Sequence, residues 1–261
     1  MAEMQVYVAG TPCWVDVGSA DLDATTAFYG GLFGWDAETD PRPEAGGYGM
    51  FRLRGHDVAG FGPFQEGQPA SWSTYIASDD VEATAAAIAA AGGLVAVGPI
   101  DVLDAGRMLV AADPTGAAFG VWQAGAHMGS RLANEPGSFT WNELTTPAIE
   151  VAQAFYTTVF GWEPEVLGEG DDEAPFVYRV QKLGGNMVAG IMEMDTSWGD
   201  VPAHWMTYFA VADVDEAAER VEELGGTVCV EPFDTPYGRT AVIDDPAGAT
   251  FSAIEPAGAE S

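Results

Sequence analysis

At 261 residues and 48% hydrophobic content, the chain is long enough for one large or two ordinary domains with packed cores. Nine Lys plus Arg stand against forty Asp plus Glu, a net charge of −31. Such a surface repels nucleic-acid phosphates and anionic lipid, so neither is an expected partner. No apolar run approaches a membrane span, and Met1-Ala2-Glu3-Met4 lacks the basic start of a secretion signal. A cytoplasmic protein with two reduced thiols, Cys13 and Cys229, is the expectation.

Residues 11–18 alternate as a half-buried strand does, placing Trp14 and Asp16 on one face and Val15 and Val17 on the other. A helix follows: Asp21 or Asp23 caps it, Ala24, Ala27, Phe28 and Leu32 recur at helical spacing, and Gly34 ends it. After a turn rich in Pro and Gly, residues 49–54 and 57–61 read as strands with Gly55 at the bend. The order then recurs. A strand over 72–77 leads to an Ala-rich helix over 81–91 stopped by Gly92-Gly93, and strands over 94–97 and 107–112 follow. Asp113-Pro114-Thr115-Gly116 is a tight turn, 118–122 the last strand, and 125–137 a linker containing Gly and Pro.

From residue 138 the chain repeats itself. Ala154-Phe155-Tyr156 and Phe160-Gly161-Trp162 echo Ala27-Phe28-Tyr29 and Phe33-Gly34-Trp35. Trp141–Leu144 answers Trp14–Val17, and Trp205–Ala210 answers Trp72–Ala77. The run from Gly238-Arg239 to Asp245-Pro246-Ala247-Gly248 answers that from Gly106-Arg107 to Asp113-Pro114-Thr115-Gly116. Self-similarity at one long offset indicates a duplicated folding unit.

Strand–helix–strands modules whose halves open on AFY and FGW and close on GR-x5-DP-x-G resemble the vicinal oxygen chelate superfamily. That group includes glyoxalase I, the extradiol dioxygenases and the bleomycin and fosfomycin resistance proteins. The chain is similar in particular to its tandem two-domain, glyoxalase-like actinobacterial members. The resemblance implies an α+β fold of four βαβββ modules, paired into two tandem domains over 9–124 and 138–256 with curved, mostly antiparallel sheets. Reaction does not follow from fold.

Metal-dependent members of that superfamily place a His or Gln on the first strand, a His on the strand opening the second module, and a Glu on the last strand of each module. The corresponding positions here are Trp14 and Trp141, Ser73 and Met206, and Gly120 and Ser252. No conventional ligand stands there, and the expectation is a protein without the family metal. His56, at a hairpin bend, and His127, in the linker, read as solvent-exposed; His204, Glu143 and Glu193 are the only material for a displaced site. No P-loop, dinucleotide-binding glycine run or nucleophile elbow occurs, so no cofactor is expected.

What remains are the sheet faces. Trp14 with Asp16, and Trp141 with Glu143, pair a large aromatic with an acid on equivalent strands, a combination suited to a flat or cationic organic molecule. Tyr75 and Tyr208 share that face, and Trp72 and Trp205 lie at the strand mouths, placed to cap a ligand or to seal an edge. Arg107 with Arg239, and Arg52 with Arg179, recur between the halves. They read either as anion clamps or as sheet-bracing ion pairs with acids such as Asp16 and Glu143. The expectation is a small-molecule-binding protein with aromatic-lined pockets, acting as a monomer or homodimer. The alternative is a glyoxalase-like lyase or isomerase, with Asp16 or Glu143 as catalytic base and an Arg stabilising an enediolate oxygen.

Overall fold

The computed structural model describes residues 4, 6–64, 67–169 and 177–258. The first half runs β1 (Pro12–Ser19), α1 (Leu22–Phe33), β2 (Asp36–Thr39), β3 (Gly49–Leu53), β4 (His56–Pro63), β5 (Ser71–Ala77), α2 (Val81–Ala90), β6 (Leu94–Val102), β7 (Gly106–Ala112) and β8 (Ala118–Ala124). The second repeats the order: β9 (Phe139–Thr146), α3 (Ile149–Phe160), β10 (Glu163–Glu169), β11 (Val177–Leu183), β12 (Asn186–Glu193), β13 (His204–Ala210), α4 (Val214–Glu223), β14 (Thr227–Thr235), β15 (Gly238–Asp244) and β16 (Thr250–Pro256). Four βαβββ modules result. No helix of the described residues is long and apolar enough to cross a membrane.

Local chemistry sets the helix ends. The Asp21 carboxylate accepts from Ala24 N–H and Asp80 from Glu82 and Ala83 N–H, while Gly34 and Gly161 stop α1 and α3 in the left-handed conformation. Two strands escape the sequence pattern. All four residues of β2 are exposed, so it carries no alternation, and β6 runs on past Val97 because a bulge between Val97 and Ile100 carries it across Gly98 and Pro99.

Each half forms one eight-stranded mixed sheet, ordered β2-β3-β4-β1-β5-β8-β7-β6 and β10-β11-β12-β9-β13-β16-β15-β14. Among the described residues, only β1 with β4, β5 with β8, β9 with β12 and β13 with β16 pair in parallel. The first sheet is strongly curved: Arg42, just beyond β2 at one edge, reaches Asp104 in the β6–β7 turn at the other, 2.9 Å away.

The cores cross the boundary between halves. Phe28, Tyr29 and Phe33 of α1 pack with Phe209 and Phe251 of the second sheet, as well as with Phe51 and Trp72 of their own. Phe155, Tyr156 and Phe160 of α3 likewise meet Phe119 of the first sheet. At the centre, Asn142 of β9 accepts from Thr74 of β5 at 2.8 Å. One face of each sheet is thus consumed by the interface, and the other is turned away from it.

Candidate functional site

Alternation along β1 and β5 sorts the side chains. Val15, Val17 and Trp72 turn to the inter-sheet core, whereas Trp14 and Tyr75 join Trp122 of β8 on the concave face. The Asp16 carboxylate sits among them, half-buried, and its Oδ2 accepts from Tyr75 Oη at 3.0 Å and Tyr48 Oη at 3.1 Å, with Ser73 as a third donor. Trp14 Nε1 in turn donates to Tyr48 Oη at 3.0 Å. Burial raises the Asp16 pKa to about 6, and the three hydroxyl donors pull against that rise without cancelling it.

The second sheet repeats the cluster. Glu143 Oε1 accepts from Tyr208 Oη at 3.1 Å, Tyr178 is its second donor, and Trp141 Nε1 donates to Tyr178 Oη at 3.1 Å. Burial again raises the carboxyl pKa.

Tyr48 and Tyr178 are the members that sequence reading missed. They are equivalent: Asp16, Gly60 and Met50 align across β1, β4 and β3 as Glu143, Gly190 and Val180 do across β9, β12 and β11. Each hydroxyl crosses a glycine, and a Cβ at Gly60 or Gly190 would lie 1.9 or 2.1 Å from it. The available signal was the shared Val58-Ala59-Gly60 and Val188-Ala189-Gly190, each with a tyrosine twelve residues upstream. The same register overturns one pairing: Arg52 corresponds to Lys182, not Arg179.

Several expected ligand contacts lie elsewhere. Trp72 and Trp205 are interface core; their indoles donate to Tyr29 Oη at 2.8 Å and Tyr156 Oη at 3.0 Å, because residues 72 and 205 fall on the face opposite Tyr75 and Tyr208. Arg107 is held by Asp101 and Glu82, and Arg239 by Asp215 and Asp234, each joining a β-hairpin to a helix start. Arg52 pairs with Asp57 and Glu38, and Arg179 with Glu150, so these arginines do brace the fold, but none pairs with Asp16 or Glu143.

His127 corrects the sequence reading most sharply. Its side chain is 12% exposed, with the ring edge-on to Trp14 at 4.4 Å and near Trp122 at 5.7 Å. The linker carries it there: His127 N–H donates to Ala105 O, Ser130 N–H to Cys13 O and Arg131 N–H to Asp57 O, so residues 125–131 run across the end of the concave face. A cleft of about 510 Å³ opens beside it, lined by charged side chains such as Glu38, Asp40, Arg42 and Asp57 together with Tyr48 and His127.

The family model described as "Glyoxalase/Bleomycin resistance protein/Dioxygenase superfamily" matches residues 13–121 and again 138–252. The chain belongs to this superfamily. It is 44% identical to "Putative glyoxylase CFP32" of Mycobacterium tuberculosis over 98% of this chain and 99% of that one. It is 42% identical to "Anthracycline biosynthesis protein DnrV" of Streptomyces peucetius over 97% and 95%. Among solved structures, the Mn(II)-bound glyoxalase of Novosphingobium aromaticivorans superposes with a TM-score of 0.65 at 19% identity, covering 94% of this chain and 82% of the other. The 2,3-dioxygenase LapB of Pseudomonas sp. KL28 gives 0.67 at 16%, covering 96% and 93%.

The residues on the concave faces do not fit the divalent ion that the superfamily implies. The Asp16 and Glu143 carboxyl groups are each already engaged by two phenol hydroxyls, and a Cβ at Gly120, where a ligating side chain would stand, would lie 2.1 Å from the Tyr75 ring. Among the described residues, no three His, Cys, Asp or Glu side chains group closely enough to hold a metal ion. His204 turns Nδ1 to Pro202 O at 2.9 Å and, like Glu193, sits level with the end of β9, opposite Thr145 and Thr146.

Proposed function

We propose that this chain binds a small, planar aromatic molecule against the concave face of its sheets, without the metal centre conventional in the superfamily. The observation that carries this is the twice-built cluster of one buried carboxyl, two tyrosine hydroxyls and an indole N–H, beside an open cleft in the first half. A few converging polar groups within aromatic walls are what orient an organic ligand. The relative named for anthracycline biosynthesis supports an aromatic ligand class.

The Asp16 pKa near 6 favours a second reading, proton-transfer catalysis. A carboxylate that is ionised at neutral pH yet holds a proton just below it is suited to act as a general base.

The test is a thermal-shift and tryptophan-fluorescence screen of planar aromatics, with metal content measured by mass spectrometry on protein purified without chelators. The expected result is stabilisation by at least one tricyclic aromatic and less than one-tenth of an ion per chain. A stoichiometric metal would sink the metal-independent reading, and a folded protein indifferent to the whole aromatic panel would sink the ligand class.

A further inference from the structure

The two concave faces are built alike but covered differently. In the first half Trp14, Tyr75, Gly120, Val110 and Val97 stand opposite one another across β1, β5, β8, β7 and β6. In the second, Trp141, Tyr208, Ser252, Val242 and Val230 do so across β9, β13, β16, β15 and β14. The linker closes the first row. Gly125 N–H and His127 N–H share Ala105 O, Trp122 Nε1 donates to His127 O at 2.9 Å, and Ser130 N–H donates to Cys13 O at 2.8 Å. These bonds seat the His127 ring edge-on against Trp14. Gly129 permits so close a passage: its φ is 111°, and a Cβ there would stand 2.4 Å from Cys13 O. Trp14 is left 3% exposed and Trp122 6%. The cleft of about 510 Å³ lies beside these indoles, since its lining is largely charged and includes neither of them.

The second face differs in two respects. Trp141, Tyr208 and Ile254, the counterparts of Trp14, Tyr75 and Trp122, are half-buried, and the covering linker lies outside the repeated unit because it is the connection into β9. The tyrosine also loses its seat. The Tyr75 ring rests over Gly120, 2.1 Å from where a Cβ would be, whereas Ser252 carries that Cβ beneath Tyr208. Both rings are nonetheless held: Trp141 Nε1 donates to Tyr178 Oη and Tyr208 Oη to Glu143 Oε1, each at 3.1 Å. Phe233, 42% exposed, stands in line with Ile254 through Thr240. Aromatic walls fixed in advance and open to solvent suit a flat apolar molecule, because little ordering is left to be done on binding.

We propose that the ligand site lies in the second half, where a flat aromatic molecule packs on Trp141 and Tyr208, and that in the first half the His127 ring fills the matching place as a built-in plug. This rests on the reading that a concave face takes an aromatic molecule, and narrows it to one face and one molecule per chain. The duplicated unit thereby keeps one working face and one closed by the chain itself.

The test titrates the full chain with 2-(hydroxymethyl)anthraquinone, a neutral tricyclic probe, by calorimetry. The wild-type protein is expected to take one molecule per chain, and Trp141→Leu to bind about tenfold more weakly, the size of one lost ring contact. His127→Gly, which removes the plug, should raise the number bound to two. In 5-fluorotryptophan-labelled wild-type protein, the ¹⁹F signal that Trp141→Phe lacks should shift with the probe, while those of Trp14 and Trp122 stay in place. Two molecules bound by the wild type, or a shift at Trp14 and none at Trp141, would overturn the assignment to the second half and leave the aromatic reading standing. A folded His127→Gly protein that still takes one molecule would overturn the plug. Failure of this probe and of the whole aromatic panel to bind the folded protein would overturn the assignment and the aromatic reading together.

Discussion

At the scale of single residues, Asp16 ionises against its surroundings. Burial raises its pKa from 3.8 to about 6, so between those values the folded state holds a proton that the unfolded state has released. Because the native state binds more protons in that window, stability falls as pH rises through it. Asp16→Asn removes the ionisation and keeps an acceptor for Tyr48 and Tyr75. Its stability relative to wild type should therefore improve by about 2 kcal/mol between pH 4 and pH 7, a figure set by the size of the shift. Thermal melts of both proteins across that range provide the check, and a pH-independent difference would show that Asp16 titrates normally. The acid and its aromatic neighbour were legible in the sequence, since period-two alternation places Trp14 and Asp16 together. Tyr48 was not, because it reaches over Gly60 of β4 from the start of β3, two strands away, and register across strands is not written in local pattern.

At the scale of elements, the motifs that make the repeat visible turn out to join the halves. Tyr29 Oη donates to Asp245 Oδ2, and Tyr156 Oη to Asp113 Oδ2, each at 3.1 Å. The other oxygen of each aspartate caps its own turn, taking Ala247 and Ala249 N–H in one case and Thr115 and Ala117 N–H in the other. The Asp-Pro turn is therefore both a turn device and the socket for the opposite helix. The tryptophans of the two Phe-Gly-Trp motifs behave alike: Trp35 Nε1 donates to Gly137 O and Trp162 Nε1 to Gly10 O, both at 2.7 Å, each pinning the segment that leads into the other half's first strand. The repeat, the helices and most strands followed from periodicity and capping residues. These reciprocal bonds did not, because a Tyr and an Asp 216 residues apart in one case and 43 in the other carry no mutual mark in one sequence. Tyr29→Phe leaves Asp245 Oδ2 and Trp72 Nε1 without their partner and should cost about 1–3 kcal/mol in urea unfolding. A double-mutant cycle with Asp245→Asn should recover a coupling term, and additive losses would mean that the bond is not formed in solution.

At the scale of the whole molecule, each sheet lies within one half but neither core does. The apolar cluster around Tyr29 draws Val15, Phe51 and Trp72 from the first sheet and Phe209, Ile243 and Phe251 from the second, and the cluster around Tyr156 is shared in the same way. A fragment comprising residues 9–124 would expose both Phe28 and Trp72 on one side and Phe119 on another, an apolar area that a small isolated unit cannot leave in water. The family model's division into 13–121 and 138–252 follows the two sheets, whereas the apolar clusters are shared between them. Two consequences can be measured. The separated halves should each lack the near-ultraviolet circular dichroism of packed tryptophans, and co-refolding them should restore it, since the helices regain their sockets at Asp113 and Asp245. The acidic charge opposes that reunion, so recovery should improve on raising salt from about 10 mM to about 500 mM, where the screening length falls from roughly 30 Å to under 10 Å. If either half alone gave a native near-ultraviolet spectrum and a cooperative melt, its aromatic core would be sufficient by itself, and the cross-half bonds would be docking contacts between two finished domains.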